Sequence, residues 1–196
     1  LPDTHCLDFV STVFWDGPDM VRDDQLRGYG QVLDWAADRG ILGEAEVEQL
    51  REEAAADADF RRRALGRAWA FRRALHDCLQ AVVRREPPPG ASIALINAAI
   101  ADSPPMFTLA PRADGIALSI PAGPSPDLLR PILRSALDLL SSPDLARLRE
   151  CAAERCGRLY LDQTKNGSRR WCDMETCGNR AKARRHQAKR KLQPLP

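Results

Sequence analysis

Residues 151–180 read CAAERCGRLYLDQTKNGSRRWCDMETCGNR. The four cysteines, Cys151, Cys156, Cys172 and Cys177, form two CxxxxC pairs with fifteen residues between them. Thiolates bind zinc tetrahedrally, and a set of four fills every position. The intervening residues fit that use. RLYL (158–161) predicts a strand, Asn166-Gly167 a type I′ turn, and SRRW (168–171) a returning strand that brings the second pair beside the first. Cys177 then opens a helix, where the backbone N–H groups and the dipole favour a thiolate. Two disulfides or four buried thiols are the other uses of such a set. Paired spacing around a turn favours one structural Zn2+, which contributes roughly 10–16 kcal/mol to a module too small to build its own core. A closed four-sulfur shell leaves no position for a catalytic water.

The run GNRAKARRHQAKRK (178–191) follows directly, with seven Lys/Arg and no carboxylate. Ala181, Ala183 and Ala188 offer a narrow face to lie against the hairpin. Arg180, Lys182, Arg184, Arg185, Lys189, Arg190 and Lys191 surround the rest. Such a helix is slim enough for a DNA major groove, and Arg169 and Arg170 on the hairpin add candidate phosphate contacts. Each neutralised phosphate steepens the salt dependence of duplex binding by about 0.9 in log–log slope. A solvated charge run is the plainer reading. Asn179 and Arg180 lie next to the metal, where each can hydrogen-bond thiolates from outside the ligand shell or, for Arg180, contact phosphate.

Outward from this module the charge changes sign. Of the 29 Lys/Arg and 27 Asp/Glu in the 196 residues, 12 and 4 lie from Cys151 onward, leaving 17 and 23 before it. An acidic body with a basic end is the division expected when one part meets a polyanion. No apolar run approaches the ~20 residues of a membrane span, and LPDTHCLDFV lacks the basic start of a signal peptide, so a cytoplasmic protein is expected. Cys6 and Cys78 are isolated, which argues against a disulfide framework.

The body reads as mainly α. Apolar, β-prone LDFVSTVFW (7–15) predicts a strand or the start of a helix. Leu26, Tyr29, Leu33 and Trp35 or Ala36 share a helical face that Gly40 terminates. Residues 44–56 form a second amphipathic pattern. A third runs from about Asp59 to Glu86, with Phe60, Ala64, Trp69, Phe71, Leu75, Leu79 and Val82 or Val83 in its stripe, until PPPG (87–90) stops it. A short apolar helix follows, then two β-capable runs flanking Asp114-Gly115, a hairpin signal. PDLLRPILRSALDLL and PDLARLRE return to helical spacing, each opening with proline.

Residues 151–190, through RLYLD, KNGSRRWC, Cys177-Gly178-Asn179-Arg180 and AKARRH, resemble the CGNR zinc finger. The body, with LDFVST at 7–12, resembles the ABATE domain that precedes this finger, with Ser11 standing where the family carries Asn. The resemblance implies a bacterial stress-induced transcription regulator: a helical domain over 1–145 and a treble-clef-like finger, hairpin plus basic helix, over 146–196. It implies one zinc on the four cysteines and regulation through DNA.

An enzyme needs converging acid–base groups, and the chain offers only His5, His76 and His186. His5 and Cys6, adjacent in sequence, point apart on a strand. His76 on the long helix reads as a satisfied core or surface histidine. The expectation is therefore a non-enzyme whose finger contacts DNA while the body senses a small-molecule effector. RNA binding, with Tyr160 and Trp171 as candidate stacking residues, and a zinc-stapled protein-interaction module are the alternatives.

Overall fold

The computed structural model describes residues 3–15, 21–103, 108–112, 115–119, 126–154 and 156–184. Arg185, His186, Ala188, Lys189, Arg190, Lys191 and Asp114 lie outside them.

The N-terminal segment is helical first and extended second. Asp3 Oδ1 accepts the His5 N–H at 2.8 Å and Thr4 O accepts the Asp8 N–H at 2.9 Å, so α1 forms over His5–Val10 and buries Cys6, Leu7, Phe9 and Val10. Strand β1 (Val13–Trp15) pairs antiparallel with β2 (Val21–Asp24), Val13 opposite Asp24. Helix α2 (Tyr29–Asp38) ends where Gly40 takes φ +62° and the Ile41 N–H returns to Ala36 O, a turn that favours glycine. Helix α3 covers Glu44–Ala56.

Helix α4 (Ala58–Arg84) is the centre of the molecule. The Asp57 carboxylate accepts the N–H groups of Asp59 and Phe60 at its start. Phe71, Leu75, Cys78 and Leu79 recur at helical spacing and are all buried. Arg85, in the left-handed region at φ 58°, and the prolines after it end the helix. Helix α5 (Gly90–Asp102) packs back on α4, and β3 (Thr108–Arg112) pairs with β4 (Gly115–Ser119), Arg112 opposite Gly115. Helix α6 (Leu129–Ser141) buries Ile132, Leu133, Ala136 and Leu139 and packs on α1.

Two local expectations are corrected. PDLARLRE is not a helix: Ser142 Oγ caps Asp144, a single 3₁₀ turn runs Pro143–Arg147, and the chain extends as β5 (Leu148–Glu150). Strand β6 (Leu159–Leu161) pairs with β5, Leu148 opposite Leu161, and not with residues 168–171. The Asp162 side chain explains the second change. Fully buried, it accepts the Thr164 hydroxyl at 2.6 Å, the Thr164 N–H at 2.9 Å and the Arg169 N–H at 3.0 Å. An N–H given to a carboxylate cannot enter a ladder, so residues 162–171 fold as a loop, with Gly167 at φ +60° in its turn.

The hairpin β5–β6 alternates in the period of a strand. Leu148, Leu159 and Leu161 join the main core, beside α1, α4 and α6 residues. Tyr160, between the two leucines, faces a second small cluster with Cys151, Ala153, Cys156 and Cys177. The mainly helical N-terminal region and the C-terminal hairpin with its helix thus share a core through one strand face.

Candidate metal centre and nucleic-acid interface

The first cysteine pair sits in the connection of β5–β6. Cys151 follows β5 directly, and its N–H donates to Arg158 O at 2.9 Å, extending the ladder by one rung. Gly157, at φ +62°, turns the chain back after Cys156. The second pair approaches from the loop: the Ala152 N–H donates to Arg170 O at 2.9 Å, which fixes the segment entering Cys172. Asp173 then caps the Thr176 N–H at 2.7 Å, and a π turn over Met174–Gly178 presents Cys177 before the helical residues 179–184.

All four sulfurs lie within 4.8 Å of one another. Cys156 and Cys172 stand 3.6 Å apart, Cys172 and Cys177 3.7 Å, and Cys177 and Cys156 3.6 Å. A tetrahedron with Zn–S near 2.3 Å has edges of about 3.8 Å, whereas a disulfide needs about 2.0 Å. The cysteines are free thiols, and the spacing is that of a four-cysteine zinc shell. The donor chemistry agrees. Hydrogen bonding from Cys156 holds the Cys151 thiol well below the ordinary range, while contact with Cys151 pushes the Cys156 and Cys172 thiols above it, so without a cation the crowded sulfurs oppose one another's ionisation. Four thiolates this close require a cation to neutralise them. Donors aim at the sulfurs from outside, among them the Cys172 N–H to Cys151 Sγ at 3.4 Å and Arg180 Nη2 to Cys177 Sγ at 3.1 Å. Such outer bonds orient ligands and offset their charge.

The basic residues divide into two groups. Arg169 donates to Trp171 O at 2.9 Å and to Cys172 O, and its guanidinium lies 4.8 Å from the Tyr160 ring centroid, so it braces the loop that carries Cys172. Arg180 serves Cys177. Asn179, adjacent to it, is exposed and makes no hydrogen bond to a sulfur among the described residues. Arg170, Lys182 and Arg184 are exposed. Arg170 lies 5.6 Å from the Trp171 ring, and Arg184 pairs with exposed Glu154. Arg185, Lys189 and Arg190 lie beyond the described helix. Tyr160 is buried with its hydroxyl donating to Arg169 O at 2.7 Å, and Trp171 is packed against the sulfur cluster. Both aromatics are thus occupied in the finger's own packing.

Some contacts escaped sequence reasoning. Helix α4 meets the finger: His76, 3% exposed, places Nε2 3.5 Å from Gly157 O, and Gln80 donates to Glu150 at 3.2 Å. The helical pattern leaves His76 as a core or surface residue and names no partner for it. Thr12, the last residue of LDFVST, donates to Phe9 O at 2.7 Å and accepts Arg72 Nη1 at 2.8 Å; buried Arg72 also pairs with Asp24. A cleft of about 660 Å³ separates Phe14 and Arg22 of the first hairpin from Arg158, Asn179 and Arg180. Arg158 lies 4.5 Å above the Phe14 ring and joins the two sides. His5 stands beside Asp3 at 3.4 Å, while Cys6 is fully buried and pushed by that burial to about 11.

Comparison with known proteins bears on both parts. No curated protein matches the chain. The family model of the CGNR zinc finger matches residues 147–190, which contain the four cysteines and the helical turn after them. The ABATE model, described as "Putative stress-induced transcription regulator", matches residues 3–143, most of the chain. The chain therefore belongs to the ABATE family and carries a CGNR zinc finger, with a four-cysteine centre suited to one structural zinc, at its C-terminal end.

Proposed function

We propose that the protein is a cytoplasmic, non-enzymatic transcription regulator whose finger contacts duplex DNA through Arg170, Lys182 and Arg184, continued by Arg185, Lys189 and Arg190. The body serves as its effector-sensing module. The observation that carries this reading is the basic run itself: seven Lys/Arg and no carboxylate over 178–191, launched from a turn that the metal centre fixes. A rigid origin limits the entropy lost when the run settles along a phosphate backbone. Arg169 and Arg180, which sequence alone places with the phosphate contacts, act indirectly by holding the cysteine loop and the Cys177 sulfur. The Arg184–Glu154 pair is exposed, and a phosphate displaces such a carboxylate at little cost.

The packing of Tyr160 and Trp171 favours duplex DNA over single-stranded RNA, since bases need free rings to stack on. The test is fluorescence anisotropy of zinc-loaded protein on a random duplex, with structured RNA and heparin as competitors. Duplex affinity at least equal to that for RNA supports the reading. Tighter RNA binding transfers the function to that polymer, and folded protein that binds neither at low salt overturns it.

A further inference from the structure

The body contains a cavity of about 260 Å³ between the start of α2, α3, the first turns of α4 and the residues leading into α6. Its wall includes Tyr29 and Phe60, whose rings meet edge to face at 6.1 Å, and Leu129. Among the described residues, three carboxylates, Glu53, Asp102 and Asp127, also line it, against the single guanidinium of Arg67. Among the described residues, neither Arg67 nor Asp102 takes part in an ion pair or a side-chain hydrogen bond. Glu53 Oε1 accepts from Gln49 at 3.1 Å and Asp127 Oδ1 from the Leu129 N–H at 3.0 Å, so one oxygen of each carboxylate has no protein donor among the described residues. Tyr29 supplies an independent sign. It is 95% buried, at 5% exposure, and lines the cavity, yet among the described residues its hydroxyl has no hydrogen-bond partner. Buried tyrosine hydroxyls ordinarily find one.

We propose that this cavity binds a small organic cation, an ammonium group on a short apolar or aromatic stem. The ammonium sits among the oxygens of Glu53 and Asp127 that no described residue donates to, and donates to the Tyr29 hydroxyl. The stem lies against Phe60 and Leu129, and the ring faces add cation–π attraction. An anion would meet three carboxylates with one arginine, and a neutral ligand would leave the carboxylates unpaired and partly desolvated. Burial and the nearby charges of Asp127 and Glu53 push the Tyr29 phenol up to about 12, so it stays protonated and its oxygen remains an acceptor. The volume falls just below the range of about 300–1,000 Å³ usual for drug-sized ligands, which sets the ligand's scale.

The site deepens the effector reading given above, on which only its consequence for DNA rests. Helices α4 and α6 border the cavity and both also reach the finger, α4 through His76 and Gln80, α6 through the 3₁₀ turn into β5. Isothermal titration calorimetry on the zinc-loaded full chain, with 2-phenylethylamine, 2-phenylethanol and phenylacetate as probes, tests it. The amine should bind saturably, with the alcohol and the acid at least about tenfold weaker. Asp127→Asn keeps the acceptor for the Leu129 N–H and removes the charge; it and Glu53→Gln should each weaken the amine by about tenfold with an unchanged melting temperature. Absence of saturation at millimolar amine, equal binding of the three probes, or unchanged affinity in both variants overturns the proposal. Amine binding that leaves duplex affinity unaltered would sink the effector reading alone.

Discussion

Arg180 and Lys182 stand two residues apart in the same basic run, yet only one of them reaches a sulfur. Removing the Arg180 donor strips the Cys177 thiolate of the guanidinium that offsets its charge. Arg180→Ala should therefore lower zinc affinity by roughly 10–100-fold, read by competition with a chromogenic chelator, whereas Lys182→Ala should leave it unchanged. An equal effect of both would mean that general charge, not the bond at 3.1 Å, matters. In the body the buried charge is Arg72, 4% exposed, held by Thr12 and Asp24 and stacked 5.7 Å from the Phe9 ring. Arg72→Ala leaves Asp24 and the Thr12 hydroxyl without their cation and should cost about 3–5 kcal/mol in a denaturant melt. At this scale the sequence displayed the ligands and hid their supporters. Four cysteines at paired spacing identify a metal shell by themselves. Which of Asn179 and Arg180 turns to the sulfur depends on the π turn before them, and a pattern of residue types carries no trace of that turn.

The longer helices were legible as elements where an apolar stripe meets a stop: Gly40 after α2, the prolines after α4. The short strands were not. RLYL is visibly a strand, but a three-residue strand has little preference of its own and takes whichever edge tertiary structure brings to it. Here the edge was LRE, already anchored by Leu148 in the core, while Asp162 consumed the N–H groups that a pairing with SRRW needed. The β-prone LDFVSTVFW became a helix and a strand because Asp3 and Thr4 supply the cap and first turn of α1. The cap of α4 supplies a test with a defined sign. Hydrogen bonds from the Phe60 and Asp59 N–H groups hold the Asp57 carboxyl below the usual carboxylate range. A depressed native pKa contributes stability above the unfolded value of about 3.9 and loses it as pH falls through the native one. Asp57→Ala should thus lower the melting temperature at neutral pH, and the difference from the parent chain should narrow below about pH 4. A pH-independent difference would assign the effect to helix propensity instead.

Across the whole molecule the finger and the body are one packing unit. Leu148, Leu159 and Leu161 lie in the body's core, and the metal centre begins one residue beyond β5. Zinc bound there should stabilise the body as well as the finger, so chelation should lower the midpoint of the entire thermal transition, not of a minor early phase. Leu161→Ala, which removes a buried side chain from that shared face, should cost about 2–5 kcal/mol in the same transition. The separation of charge is the other property of this scale, 17 basic against 23 acidic residues before Cys151 and 12 against 4 after. An acidic body repels phosphate, which under the proposed reading directs a polyanion to the finger. The most direct test of that account is the salt dependence of duplex DNA binding by zinc-loaded protein, compared with a variant carrying Arg170→Ala, Lys182→Ala and Arg184→Ala. A steep log–log slope that becomes shallower by about 0.9 for each contact removed, with zinc content and melting temperature unchanged, is the predicted result. An identical slope in the folded, zinc-loaded variant would contradict it.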